Sequence, residues 1–219
     1  MRRSPGPARV VYQIASWCLD YPNEALVERL PQLRAALDEQ PQSAATRQLG
    51  QLVNHLVDRV ACGRLADLQQ HYVDVFDLSR KRALHLSYWT DGDTRRRGDV
   101  LARFKADYRA SGFVVDTGGE LPDYLPMVLE FAAVVDLDAG RAMLQQYRPS
   151  IELLRLALLD AGTPYADAVV AVCATLPGPS PADRAAVIAM AGGPPPAESV
   201  GLEPYDPRLL PLHPVETQP

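Results

Sequence analysis

A chain of 219 residues has the length of one ordinary domain, and its 47% hydrophobic content excludes wholesale disorder. A net charge of -5 argues against a general nucleic-acid binder. No run of about 20 apolar residues is present, so stable membrane insertion is not expected. At the amino end, Arg2 and Arg3 precede an uncharged run from Val10 to Leu19. Tyr12, Gln13 and Ser16 interrupt that run, and it lacks a small-residue cleavage site. Val10, Ile14, Trp17 or Cys18, and Tyr21 follow helical spacing, which predicts an amphipathic first helix rather than an export signal, and a cytoplasmic protein.

Asn23 is a good N-cap for a helix whose apolar stripe is Leu26, Leu30, Leu33 and Leu37, with Pro31 expected to kink or split it. Leu49, Leu52 or Val53, Leu56 and Val60 form the next stripe, stopped by Gly63; Leu65, Leu68, Tyr72, Val75 and Phe76 form another. Ala83 to Trp89 alternates weakly, as a short strand or a buried helical turn, and strand is the poorer choice because no second strand pattern exists to pair with it. Gly92-Asp93-Thr94 opens a helix carrying Val100, Leu101, Phe104 and Tyr108, closed by Gly112. Asp123 is expected to cap a helix through Met127, Val128, Phe131 and Val135. One further helix spans Met143 to Leu158, bent near Pro149. Thr163-Pro164 and Ser180-Pro181-Ala182-Asp183 look like two more starts, each with a capping hydroxyl before a proline. Beyond Gly192 eight of the 20 prolines crowd together. The expectation is all-α: a single helical domain of about seven to nine helices over residues 1–192, and a proline-rich tail, 193–219, that is extended or disordered.

Three cysteines, Cys18, Cys62 and Cys173, are too few and too scattered for a disulfide framework and read as reduced core thiols. His55, His71, His85 and His213 show no metal-ligand spacing, and no phosphate-binding glycine loop or nucleophile elbow occurs, so neither enzyme nor cofactor is indicated. Asp91-Gly92-Asp93 fails as a calcium loop because Arg95 and Arg96 occupy its fifth and sixth positions. Charge is unevenly placed. Arg80 to Arg109 holds nine basic residues and four Asp, a balance of +5. Within it, Thr94, Arg95, Arg96 and Arg97 at a helix start could contact a phosphate, or could be cap and solvated surface. The reverse holds from Ala110 to Gly140, which contains no Lys or Arg. At its centre lies Glu120-Leu121-Pro122-Asp123-Tyr124-Leu125-Pro126-Met127-Val128-Leu129-Glu130-Phe131, acidic, apolar and punctuated by proline. Such a segment suits binding a basic amphipathic peptide better than it suits catalysis.

Three blocks carry a resemblance: His71-Tyr72-Val73-Asp74-Val75-Phe76-Asp77, then Leu84-His85-Leu86 through Gly92-Asp93-Thr94-Arg95-Arg96-Arg97-Gly98, then Glu120 to Phe131. In order and spacing they resemble the NarJ-type molybdenum cofactor assembly chaperones of respiratory nitrate reductase, the delta-subunit family, over residues 71–131. Trp17, Leu19, Tyr21 and Pro22 are compatible with it. The resemblance implies a TorD-like helical fold and a non-enzymatic chaperone. Its implied partner is the apo catalytic alpha subunit, bound at its N-terminal peptide and at a second region, and held competent for cofactor insertion. In related chaperones for exported enzymes a proline-x-Asp-His element contributes to leader-peptide binding; here Pro122 directly precedes Asp123, and Tyr124 stands in place of His. The expected client site is Glu120, Asp123 and Glu130 for charge, with Tyr124, Met127, Phe131, Leu84, Tyr88 and Trp89 for the groove. Affinity is expected to fall with salt and with Asp123→Asn. The competing readings are a cofactor or nucleotide binder working through Arg95 to Arg97, and a nucleic-acid binder working through Arg80 to Arg109. Oligomeric state is left open.

Overall fold

A computed structural model describes residues 6–91, 96–113 and 118–192. These residues form one all-α domain with eleven α-helices, more than the seven to nine expected. The tail, 193–219, lies outside the described residues. Helix α1 (Pro7–Leu19) runs through the centre, touching α2 (Glu24–Asp38), α3 (Ala44–Ala61), α7 (Leu125–Glu130) and α10 (Ala166–Cys173). Its uncharged sequence explains this position. Val10, Val11, Tyr12, Ile14, Ala15, Cys18 and Leu19 are all buried, so the helix is apolar on most of its circumference rather than along one stripe. Tyr21 lies past its end and is exposed.

Capping chemistry decides several boundaries. Asn23 accepts from the Leu26 amide at 2.9 Å, as expected. Helix α2 is not split: it continues through Pro31, which lies on the exposed side while Leu30, Leu33 and Leu37 are buried opposite. Ser43, a cap that apolar periodicity does not announce, exchanges two hydrogen bonds with Thr46 in a capping box that starts α3. Gly63 ends that helix region with φ +70, open to glycine at little cost.

The extra helices come from breaks that periodicity did not reveal. The stripe ending at Phe76 is α4 (Leu65–Tyr72) followed by a π-helical turn, Val73–Asp77. The stripe through Phe131 is α7 followed by a second π-helical turn, Phe131–Val135. Asp136 then caps α8 (Leu137–Gln146), and Pro149 sits in the first turn of a separate helix, α9 (Arg148–Asp160), rather than bending one long helix. Gly140 in α8 lies against Ala132, and a Cβ there would overlap the Ala132 backbone. The expected starts at Thr163 and Ser180 are displaced. Helix α10 begins at Ala166 because the Thr163 hydroxyl pairs with His71 instead, 3.0 Å away. Asp183, not Ser180, caps α11 (Arg184–Met190), and Ser180 bonds Glu152. Cys18 and Cys173 are buried as expected, whereas Cys62 at the end of α3 is exposed. No helix among the described residues is long and apolar enough to cross a membrane.

Candidate functional site

The acidic motif is held in place by two backbone hydrogen bonds. The Leu86 amide donates to the Asp123 carbonyl at 3.0 Å and the Leu125 amide to the Leu84 carbonyl at 2.8 Å, an isolated antiparallel bridge between His85 and Tyr124. This explains the weak alternation of Ala83 to Trp89. One pair of residues bridges, and the chain then turns into α5 (Leu86–Asp91). Tyr108 on α6 (Arg96–Ala110) donates its hydroxyl to the Pro122 carbonyl at 2.7 Å, fixing the segment from the other side.

Asp123 is sealed by this arrangement, with 0% of its surface exposed. It is neither a helix cap nor a surface charge: α7 starts after Tyr124 without any side-chain cap. Its Oδ2 accepts from the Ser87 amide at 3.0 Å and the Ser87 hydroxyl at 2.6 Å. Its Oδ1 faces His85 Nδ1 at 3.5 Å, and Arg97 Nη2 lies 3.9 Å from Oδ2. Burial alone would raise the carboxyl pKa; the His85 imidazole facing Oδ1 and the two Ser87 hydrogen bonds outweigh it and hold the group below its ordinary value. Asp123 therefore organises the interior of this region and does not offer its charge to solvent.

Beside it is an open cleft of about 270 Å³. From the expected site it takes Glu120, Tyr124 and Leu84, the last forming a buried part of its wall. It adds Asp20 and Tyr21 after α1, Tyr72 in α4, Phe76 and Asp77 in the π turn, and His85. The aromatic wall is continuous. Tyr21 meets Tyr72 edge-on at 5.5 Å, and Tyr72 packs on Phe76 at 4.8 Å. The Tyr72 and Tyr124 hydroxyls are 3.1 Å apart, Tyr72 donates to the Leu19 carbonyl and Tyr124 to Asp20 Oδ1, each at 3.1 Å. Burial first, and then the charges of Asp20, Asp77 and Glu120, raise the Tyr72 pKa. Burial, Tyr72 and Asp20 likewise raise that of Tyr124, so both phenols remain neutral donors.

Asp20, Asp77 and Glu120 are all exposed, and none has a Lys or Arg ion-pair partner among the described residues. Asp20 is the C-cap of α1, and Asp77 ends the π turn that continues α4. Carboxylates at helix C-termini oppose the helix dipoles, so the cleft concentrates negative potential that no Lys or Arg among the described residues pairs with. The π turn contributes by carrying Phe76 and Asp77 into the wall; its freed carbonyls are taken up by Arg82, which bonds Val75 O at 2.7 Å and Asp74 O at 3.2 Å.

The remaining expected residues lie elsewhere. Phe131 is in the core, edge-on to Tyr108 at 4.9 Å, and cannot line an accessible groove. Met127 is half-buried against the core, and Glu130 is exposed but not part of the cleft wall. Trp89 donates to the Ala83 carbonyl at 3.3 Å, and Tyr88 lies under the Arg97 guanidinium at 5.8 Å. Thr94 and Arg95 lie outside the described residues, as does the side chain of Arg96. Arg97 reaches Ser87 at 3.3 Å and Asp123.

The model of the "Nitrate reductase delta subunit" family matches residues 24–171. The chain belongs to this family. It is 32% identical over 168 residues to a protein of Bacillus subtilis (strain 168) named "Probable nitrate reductase molybdenum cofactor assembly chaperone NarJ", covering 77% of this chain and 89% of that one. It is 29% identical over 158 residues to the protein of Escherichia coli (strain K12) named "Nitrate reductase molybdenum cofactor assembly chaperone NarJ", covering 70% and 64%. It is also 44% identical over 169 residues to "Nitrate reductase-like protein NarX" of Mycobacterium tuberculosis (strain ATCC 25618 / H37Rv), where the match covers 76% of this chain but only 24% of that protein. Of the cleft residues that the expected site omitted, Tyr72, Phe76, Asp77 and His85 fall within the blocks that carried the family resemblance, which was the signal available for them.

Proposed function

We propose that this protein is a dedicated assembly chaperone, not an enzyme. It binds the apo catalytic alpha subunit of respiratory nitrate reductase in the cytoplasm and keeps it competent for molybdenum cofactor insertion before membrane assembly. The client's amino-terminal peptide occupies the Tyr72–Tyr124 cleft, and a second region of the client binds elsewhere on the chaperone. The observation that supports this reading is the combination, in one open cleft, of aromatic rings and carboxylates without a Lys or Arg partner among the described residues, in a chain whose relatives include proteins named as assembly chaperones. A leader-like peptide is basic at one end and apolar along a helical face, which is the complement of such a cleft. No residue of the cleft needs to make or break a bond for this role.

Titration calorimetry of the full chain with the amino-terminal peptide of the catalytic subunit from the same genome tests the reading. Saturable binding that weakens as NaCl rises is the expected result. No binding at either low or high salt would remove the peptide from the proposal.

A further inference from the structure

We propose that the cleft is a socket for one basic side chain, a guanidinium or an ammonium, carried on a segment whose neighbouring positions are apolar. This deepens the peptide reading above and rests on it. Size comes first. About 270 Å³ lies just under the usual range of small-molecule sites, roughly 300–1,000 Å³, and suits a side chain better than a nucleotide or pterin. Charge comes second. Asp20, Asp77 and Glu120 reach the same small volume from three separate chain segments, and no cation among the described residues neutralises them. The wall comes third. Tyr21, Tyr72, Phe76 and Tyr124 line it with aromatic side chains, which favour an organic cation, whereas a hard metal ion demands oxygen ligands on most sides.

The rim identifies what carries the cation. Large apolar side chains exposed to solvent are few among the described residues; one of them lies in the cleft wall and two directly follow cleft carboxylates in the chain. Tyr21 is in the wall at 44% exposure. Leu78, at 73%, directly follows Asp77, and Leu121, at 38%, directly follows Glu120. An isolated small cation would have no use for this apolar edge. A helix turn that inserts one Lys or Arg and lays neighbouring Leu, Phe or Ile residues on the rim would use both features.

The test replaces each Arg of the client's amino-terminal peptide in turn by citrulline, and each Lys by norleucine, and measures affinity for the full chain and for its Glu120→Gln and Asp77→Asn variants. Both substitutions are at exposed positions, so folding should be retained, which circular dichroism checks. The expected result is one peptide position whose neutralisation costs about tenfold or more, with the others costing about twofold each. At that position alone the loss should be non-additive with Glu120→Gln and Asp77→Asn, as a direct contact requires. A peptide that binds with losses spread evenly, or with additive losses throughout, overturns the socket and leaves the peptide reading standing. A peptide that does not bind at all removes both.

Discussion

The Glu152 cluster and the Glu120 cleft both gather ionised groups, and they dispose of that charge in opposite ways. Glu152 on α9 is fully buried between Arg148 and Arg155, with Nε atoms 3.4 and 2.6 Å from its two oxygens. The guanidiniums then spend their other donors on the loop leading to α11: Arg148 on the carbonyls of Pro177, Gly178 and Pro179, Arg155 on that of Pro181 at 2.5 Å. Ser180 returns a bond to Glu152 at 2.8 Å. Every charge there has an internal partner, and the product is a fixed loop. In the cleft, three carboxylates stand at the surface with phenols for neighbours and no Lys or Arg ion-pair partner among the described residues. Internal satisfaction marks structure; charge left without its complement marks a surface prepared for something else.

The largest effect should come from breaking the satisfied cluster. Glu152→Ala would leave two guanidiniums facing each other in the interior, and loss of one member of a buried ion cluster typically costs about 3–5 kcal/mol. Urea denaturation should show that loss through a lower midpoint. Peptide affinity measured well below the midpoint should stay unchanged, because the cluster takes no part in the cleft wall. A variant with full stability would mean that the loop carbonyls, not Glu152, hold the arginines.

An intermediate effect is expected at Asp123, which lies beside the cleft but behaves like Glu152. Its folded-state pKa is depressed, so its contribution is fully present above the unfolded value of about 3.9 and is lost as pH falls through the lower folded value. Asp123→Asn should therefore cost about 1–3 kcal/mol at neutral pH, the range for disturbing a buried hydrogen-bonded group, and should flatten the acid limb of the stability–pH curve below about pH 4. Stability curves of the two proteins that stay parallel from pH 7 to pH 3 would contradict the assignment of Asp123 to the interior network. Any change in peptide affinity from this variant would arise from movement of His85 and Tyr124, not from loss of a charge at the surface.

These two carboxylates also show how far the sequence could be read. The helical class followed from apolar spacing, and the block from Glu120 to Phe131 contributes Glu120 and Tyr124 to the candidate cleft. Periodicity could not say that residues 73–77 and 131–135 wind as π turns, because a single extra residue per turn hardly alters a stripe of apolar positions. It could not distinguish Asp123 from Glu120 either. Both precede apolar residues near a proline, and only the bridge between His85 and Tyr124, formed by segments 39 positions apart, turns one inward and leaves the other outside. Asp20 and Tyr21 were missed for the same reason. They follow the first helix by one and two residues, and nothing local announces that α1 delivers them to a wall shared with Tyr72 and Tyr124. Charge counting found the depleted window from Ala110 to Gly140 but could not see that two of the three cleft carboxylates come from outside it.

The smallest effect provides the sharpest contrast, because it compares two glutamates of one motif. Glu120 and Glu130 are both exposed, carry the same charge and lie ten positions apart, yet only Glu120 borders the cleft. If peptide binding depended on the net acidity of the segment, Glu120→Gln and Glu130→Gln would weaken it alike, and the two would converge as salt screened them over about 10 Å at 0.1 M. If binding depends on the cleft, Glu120→Gln should weaken the peptide several-fold, while Glu130→Gln should stay within about twofold of the parent, the range of an isolated surface charge. Affinities at about 20 and 300 mM NaCl separate the two cases: a contact in the partly enclosed cleft retains part of its Glu120 dependence at the higher salt, whereas a diffuse field loses nearly all of it. Equal and salt-erased losses at both positions would shift recognition from the Tyr72–Tyr124 wall to the general charge of the surface around it.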